Sequence, residues 1–384
     1  MKSFLFLILF LVSSLLYAQT LPPKQAYPID ILQIHSGHSL TDPLFGQPWP
    51  GQFVRLMEIE NGAAYGSFAG DVIAQSTIPG SSMSWRWDNP PGFGAPDARH
   101  DIEDWELLCI TERVPLYYEG GGTEQWYLDN IQEQRDYLLL FMENAWENGN
   151  DGNGTPTLLW TTWTNIDDSD GPWRSMLDTQ GEEFERMQDY VNDNLPSGAP
   201  HVYLIPGHRM MARIYDDIQL GVVPDITDIA DFFEDNIHTN TLGDYAIAMI
   251  HYACIFNESP VGLPNELIDN PQPGDEIPST DLALYLQTIV WEEVTSYFRT
   301  GITDPSLATE NLDHEKGLKI YPNPAVSSIN LTYDSNSTKE TVLVYDYLGN
   351  IVFKGNTKKV DVEDFPSGMY IVKVGEKTAK FVKE

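Results

Sequence analysis

Between residues 27 and 300, short apolar runs alternate with longer amphipathic stretches. Strands are expected at 29–34, 69–74, 105–110, 155–164 and 201–205. Helices are expected at 53–61, 124–147, 181–195, 210–220, 243–256 and 282–298. Strands joined by helical crossovers of this length pair in parallel, and a parallel sheet needs cover on both faces. This pattern constrains the fold more than any other feature: it predicts an α/β domain with its ligands at the carboxyl ends of the strands.

The pattern changes after residue 300, and so does the chemistry of the positive charges. No lysine occurs between Lys24 and Lys316, and no arginine follows Lys316. The chain carries a formal net charge of −35, yet residues 310–384 hold eleven acids against ten lysines. The break predicts a linker at 301–315 between a domain at 19–300 and a second one at 316–384. The tail alternates over short runs at 328–333, 341–347, 351–353, 359–362 and 369–374, the pattern of a small β-sandwich. At the other end, Lys2 precedes an apolar stretch over 4–16 and a small residue, Ala18, stands before Gln19, so 1–18 reads as a secretory signal peptide. That stretch is too short for a standard membrane span, and no integral span is expected elsewhere. The acidic balance argues against nucleic acid and anionic membranes as partners. Cys109 and Cys254 lie in apolar segments without metal-ligand spacing and are expected as buried free thiols.

Two short blocks carry chemistry. Gln33-Ile34-His35-Ser36-Gly37-His38-Ser39-Leu40 takes a strand into a turn and leaves Ser39 at the sheet edge, where its own N–H can face a substrate carbonyl. Asp235-Asn236-Ile237-His238 lies about two hundred residues on. Its i, i+3 spacing lets the carboxylate reach the Nδ1–H of its own histidine within one turn and leaves Nε2 free to take a proton from a serine. Trp85, Trp87, Trp160, Trp163 and Trp173 stand near expected loops or strand ends, and Pro206-Gly207-His208-Arg209 follows the last strand on the same edge.

Together the Gly-His-Ser-Leu and Asp-x-x-His blocks resemble the SGNH/GDSL hydrolases, over roughly residues 27–300. The resemblance implies a flavodoxin-like three-layer fold and a serine esterase with Ser39, Asp235 and His238 as catalytic residues. It implies no metal or other cofactor. It assigns the oxyanion to the N–H groups of Ser39 and Gly80, the glycine after the second strand. His38 stands where the family usually has Asp. The family's third block normally supplies an Asn side chain; here Thr111-Glu112-Arg113 occupies that place, with Glu112 the candidate third oxyanion residue. In the tail, Tyr321-Pro322-Asn323-Pro324 and Ser367-Gly368-Met369-Tyr370-Ile371-Val372-Lys373-Val374 resemble the C-terminal sorting domain of the type IX secretion system. That implies contact with the secretion machinery and release from the cell or display on the outer-membrane surface.

The expectation is therefore a secreted carbohydrate esterase that removes O-acyl groups, chiefly O-acetyl, from a polysaccharide. Trp85, Trp163, His208 and Arg209 are the expected substrate contacts. A lipolytic or aryl esterase would need a wide apolar acyl pocket instead. A glycan-binding protein on a decayed hydrolase scaffold is the alternative of a different class. The absent Asn and the His38 replacement favour it; the survival of Ser39, Asp235 and His238 together speaks against it.

Overall fold

The computed structural model describes residues 21–46, 48–92, 94–116, 124–303, 318–333, 341–346, 351–375 and 377–383. The expected signal peptide at 1–18, most of the expected linker at 301–315, and Gly349-Asn350, where the sequence predicts a turn in the tail, lie outside them. The chain divides into two compact units between Asp304 and Pro305.

The first unit holds a parallel five-stranded sheet. Its strands are β1 (Gln33–Gly37), β2 (Ile73–Thr77), β3 (Leu107–Ile110), β4 (Thr157–Thr161) and β5 (Tyr203–Pro206), in the order 2-1-3-4-5. The order reverses between β1 and β3, so the crevice of a doubly wound sheet lies at their carboxyl ends. The helices are α1 (Gln52–Glu60), α2 (Met83–Asp88), α3 (Glu124–Asn148), α4 (Trp173–Asp193), α5 (Gly207–Gln219), α6 (Thr241–Phe256) and α7 (Thr280–Ser296). Right-handed crossovers place α1, which leads from β1 outward to β2, on one face, and α3 and α4, which step the other way, on the opposite face. Helix contacts agree: α1 packs on α6 and α6 on α7, whereas α3 packs on α4. Every residue of α6 is buried.

The expected elements are present with shifted ends. β1 begins four residues later than the apolar run at 29–34 suggested. A strand paired on both edges and covered on both faces is expected to be apolar, yet β1 buries Gln33 and His35. They satisfy part of each other's need: His35 Nε2 lies 2.9 Å from Gln33 Oε1. The helix expected at 181–195 begins at Trp173, so Gly181 sits inside α4 rather than at its start. A Cβ on Gly181 would come within 2.5 Å of the His208 ring. The glycine is there for close helix packing, which overrides its poor helix propensity.

The second unit is antiparallel. β6 (Lys319–Tyr321), β7 (Ser328–Thr332) and β10 (Lys359–Asp361) form one sheet, in the order 10-7-6. β8 (Val342–Tyr345), β9 (Ile351–Gly355), β11 (Gly368–Val374) and β12 (Lys377–Lys383) form the other, in the order 12-11-8-9. Ile329, Leu331, Val360, Val342, Val372 and Phe381 join both sheets into one core. Cys109 and Cys254 are buried and free. Among the described residues no helix is long and apolar enough to cross a membrane.

Candidate active site

Ser39 lies on the turn that leaves β1. Thr41 N–H closes the turn on the His38 carbonyl at 2.8 Å. Gly37 permits the tight exit, since a Cβ there would stand 2.1 Å from Thr41 Oγ1. Trp160, on β4, donates its indole N–H to the Leu40 carbonyl at 3.3 Å and steadies the turn from below.

Asp235 and His238 lie on a loop, not on the helical turn their spacing suggested. The loop is closed by a bridge between Phe233 and Thr239. Asp235 Oδ1 accepts the N–H groups of Ile237 and His238, each at 2.8 Å, so the carboxylate itself builds the turn. Its Oδ2 is 2.7 Å from His238 Nδ1. Trp163 donates to the Ile237 carbonyl at 2.9 Å, and Ile166 N–H to that of Asn236 at 2.7 Å. Just beyond His238, Asn240 caps α6 by accepting from Leu242 and Gly243.

These supports bring the two blocks together. His238 Nε2 lies 2.9 Å from Ser39 Oγ. With Nδ1–H held by Asp235, Nε2 is the bare nitrogen that accepts from the serine hydroxyl. Burial alone would raise the Asp235 carboxyl, but the His238 side chain and the two backbone N–H groups outweigh it and hold it at about 2. Neither Ser39 N–H nor Gly80 N–H donates a hydrogen bond among the described residues. Gly80 sits exposed in the turn after β2 at a φ of 67°.

A cleft of about 380 Å³ opens on this pair, lined by Ser39, His238, Asp42, Glu234, Asp244 and Asp275 among others. Asp42 Oδ1 accepts from Thr77 Oγ1 at 2.6 Å and Gln75 Nε2 at 2.8 Å. Asp244 accepts from Thr239 Oγ1 at 2.6 Å, and burial pushes its carboxyl well up.

Beside Ser39 runs a buried network that the sequence did not announce. Arg86, on α2, is fully enclosed. It donates to Ser36 Oγ at 3.2 Å, to Ser81 O at 2.8 Å and Oγ at 3.2 Å, and to Thr111 O. It thus ties together the carboxyl ends of β1, β2 and β3. His38 accepts from Leu40 N–H at Nδ1 and donates from Nε2 to the Glu112 carbonyl at 3.0 Å. Burial and the Arg86 charge push His38 down to about 3, so it is neutral and fixed in one tautomer.

The Glu112 carboxylate faces backbone donors and a cavity other than the Ser39 cleft. Its carboxylate accepts from Met83 N–H at 3.1 Å and from Arg113 N–H at 2.6 Å. It lines a separate small cavity of about 150 Å³ with Ser82, Arg113 and Gln134. An acid spent on accepting backbone N–H groups braces the loop; it has no proton aimed at Ser39. Burial raises it to about 6 against the opposing charge of Arg86.

Three of the expected substrate contacts are corrected. Trp163 is buried and holds the His238 loop, packing edge to face on Trp160 at 6.0 Å. His208 is buried with Nδ1 2.7 Å from Thr161 Oγ1, and burial pushes it down to about 3. Arg209 pairs with Glu293 at 2.9 Å and lies over the Tyr297 ring. For Trp163 and His208 the pull toward the core exceeded what a place at a strand end implies; Arg209 stays partly exposed and is engaged by Glu293. Trp173 is also buried. Trp85, 56% exposed on α2, remains open to solvent.

Residues 319–384 match the family described as a secretion system C-terminal sorting domain. The tail marks the chain for export through the type IX route, to the cell surface or beyond, and implies contact with that machinery. No curated protein matches the chain. Among solved structures, a DUF4886 family protein from Bacteroides uniformis is 14% identical and covers 70% of this chain and 95% of its own, with a TM-score of 0.45. A gut microbial diltiazem-metabolizing enzyme is 15% identical over 62% of this chain and 48% of its own, with a TM-score of 0.38. PorZ, a surface component of the type-IX secretion system of Porphyromonas gingivalis, is 20% identical over 21% of this chain and 12% of its own, with a TM-score of 0.15.

Proposed function

We propose that the chain is an exported serine esterase of the SGNH type that removes small O-acyl groups, chiefly O-acetyl, from a polysaccharide. The observation that carries the reading is the hydrogen-bonded series Ser39 Oγ to His238 Nε2 at 2.9 Å and His238 Nδ1 to Asp235 Oδ2 at 2.7 Å. The strand order 2-1-3-4-5 supports a flavodoxin-like three-layer domain. Ser39 attacks the ester carbonyl while its proton passes to His238. A bond forms between Oγ and the acyl carbon; the bond to the alcohol oxygen breaks; His238 returns the proton to that oxygen. Water then cleaves the acyl-serine by the same route. The Ser39 N–H, left without an internal partner, meets the carbonyl oxygen as it gains charge, and Gly80 N–H is its assigned companion. Asp235 keeps Nδ1 protonated and stabilises the imidazolium.

The choice of polysaccharide rests on export and on Trp85, since Trp160, Trp163 and Trp173 are buried and Trp87 packs against the core. The carboxylate-lined cleft suits a small acyl group better than the apolar acyl pocket a lipolytic enzyme needs. Acetate release from a panel of acetylated polysaccharides, with Ser39→Ala as control, tests the reading. Release that disappears in the variant is expected. Equal release by parent and variant overturns it.

A further inference from the structure

Each sheet of the second unit turns one face to the shared core and keeps an outer face. An antiparallel sheet of this kind ordinarily puts polar side chains outward. The three-stranded sheet does so: Ser328, Asn330 and Thr332 face outward on β7, and Lys359 and Asp361 on β10. Tyr321, on the edge strand β6, is its exception. The four-stranded sheet differs. Val342, Val344, Tyr370, Val372, Val374 and Phe381 fill its inner face. Alternation then turns Tyr345, Ile371 and Val382 outward. Pairing sets Ile371 beside Tyr345, and Tyr345 beside Ile351, across three strands. Ile351 is 55% exposed, Val382 45% and Ile371 43%. Lysines rim these side chains: Lys380 pairs with Ile371, and Lys373 and Lys354 flank Leu343 in the next row. None of the four strands holds an Asp or Glu, in a chain that has 57 of them.

Folding alone gives no reason for the two outer faces to differ, since apolar side chains gain nothing by staying in water. A contiguous exposed apolar patch marks an interaction site, and an apolar centre inside a charged rim is the anatomy of a protein interface. The whole face lies within residues 319–384, the segment that matches a secretion system C-terminal sorting domain. We infer that the outer face of the β12-β11-β8-β9 sheet is the surface by which the tail docks on the export machinery, and that the receptor offers an apolar patch with an acidic rim. The lysines then serve the encounter, and Ile351, Ile371 and Val382 the contact that follows. The inference rests on the family match of the tail and is independent of the esterase reading.

The surface fraction of the full chain, measured in the native host, tests the docking face. Ile351→Asp/Ile371→Asp should lower that fraction by about tenfold or more and leave the chain in the periplasm. Thr332→Asp, on the outer face of the other sheet, should be delivered like the parent, and so should Ile371→Val. Reversing the rim with Lys354→Glu/Lys373→Glu/Lys380→Glu should also cut delivery by about tenfold. Denaturant midpoints of the purified variants should match the parent's, because every changed side chain is exposed. Should the Asp pair lower the midpoint, the lysine variant alone decides. Delivery of the folded variants at the parent's level overturns the inference. So does a Thr332→Asp chain retained as fully as the Ile351/Ile371 variant, since recognition would then not distinguish the two faces. Other occupants are read in the same variants. A parent that sediments as a dimer, with an Ile351/Ile371 variant that is monomeric yet delivered, would put a second copy on the face. Binding of the parent but not of the lysine variant to anionic lipid vesicles, with delivery equal in both, would put a membrane there. Either result overturns the docking role.

Discussion

The two sides of the Ser39 turn are held in opposite ways. On one side, Asp235 and His238, with side chains 53% and 36% exposed, sit on a loop ordered by short-range bonds and the indole donor of Trp163. On the other, Arg86, His38 and Glu112 are buried and ordered by charge and by donors aimed at strand-end carbonyls. The first arrangement leaves the His238 imidazole, the proposed proton carrier, open to solvent at little cost to stability. The second makes the strand ends rigid but ties that rigidity to groups that cannot be removed singly. Chemistry and stability should therefore separate by side.

The largest effect should come from the exposed side. His238→Ala and Ser39→Ala should each lower kcat/KM for an acetyl ester on the order of a thousandfold or more. Their urea midpoints should stay near the parent's. A matching collapse of stability would show that the loop also carries the fold. Arg86→Met should do the reverse. It strips donors from Ser36, Ser81 and Thr111 and leaves Glu112 without its cation. A loss of about 3–5 kcal/mol by denaturant titration is expected. A loss near zero would mean the strand ends are held by packing alone.

Asp235→Asn should fall between, on the order of a hundredfold in kcat/KM, because an Asn oxygen still accepts from Ile237 and His238 N–H. A loss equal to that of His238→Ala would show that orientation depends wholly on the charge. With Asp235 held at about 2, its ionisation should leave activity unaffected above about pH 3.

Glu112 sharpens the comparison through pH. Its folded value is raised from 4.5 to about 6, so the folded chain binds the proton more tightly than the unfolded chain does. Its contribution is most favourable below about pH 4.5 and is lost as pH rises through about 6, a swing of roughly 2 kcal/mol. Glu112→Gln should lack that fall when denaturant midpoints are compared at pH 4.5 and 7.5. Identical pH dependence in the two chains would place the titration elsewhere. The smallest effect expected on catalysis is from removing residues 305–384. The steady-state rate on a soluble ester should be unchanged, while delivery to the surface should be lost. Normal surface amounts of the shortened chain would count against the role of the tail.

Much of the plan was legible in order along the chain. Alternating apolar runs announced the five parallel strands, and the change from arginine to lysine announced the second unit. Gly37, Ser39, Asp235 and His238 stood out because turn chemistry and i, i+3 spacing are local. The bounds of β1 were misjudged because its buried Gln33 and His35 find each other only in the folded strand. Trp163 and His208 turned out buried because a residue's distance from a strand end says nothing about which way its side chain turns.

Sequence alone determined the element types, the domain break, the sorting tail and the residues able to act as nucleophile, base and orienting acid. These follow from periodicity, composition and spacing, which are properties of neighbours in the chain. Only the tertiary structure decided that Ser39 and His238 meet at 2.9 Å, that Trp160 and Trp163 brace the two loops, and that Arg86 locks three strand ends. It also decided that Asp42 and Asp244 line the cleft that opens on Ser39 and His238. Those relations join residues far apart in the chain, and they are set by burial, which assigns each polar group its partner only when the sheet and helices close around it.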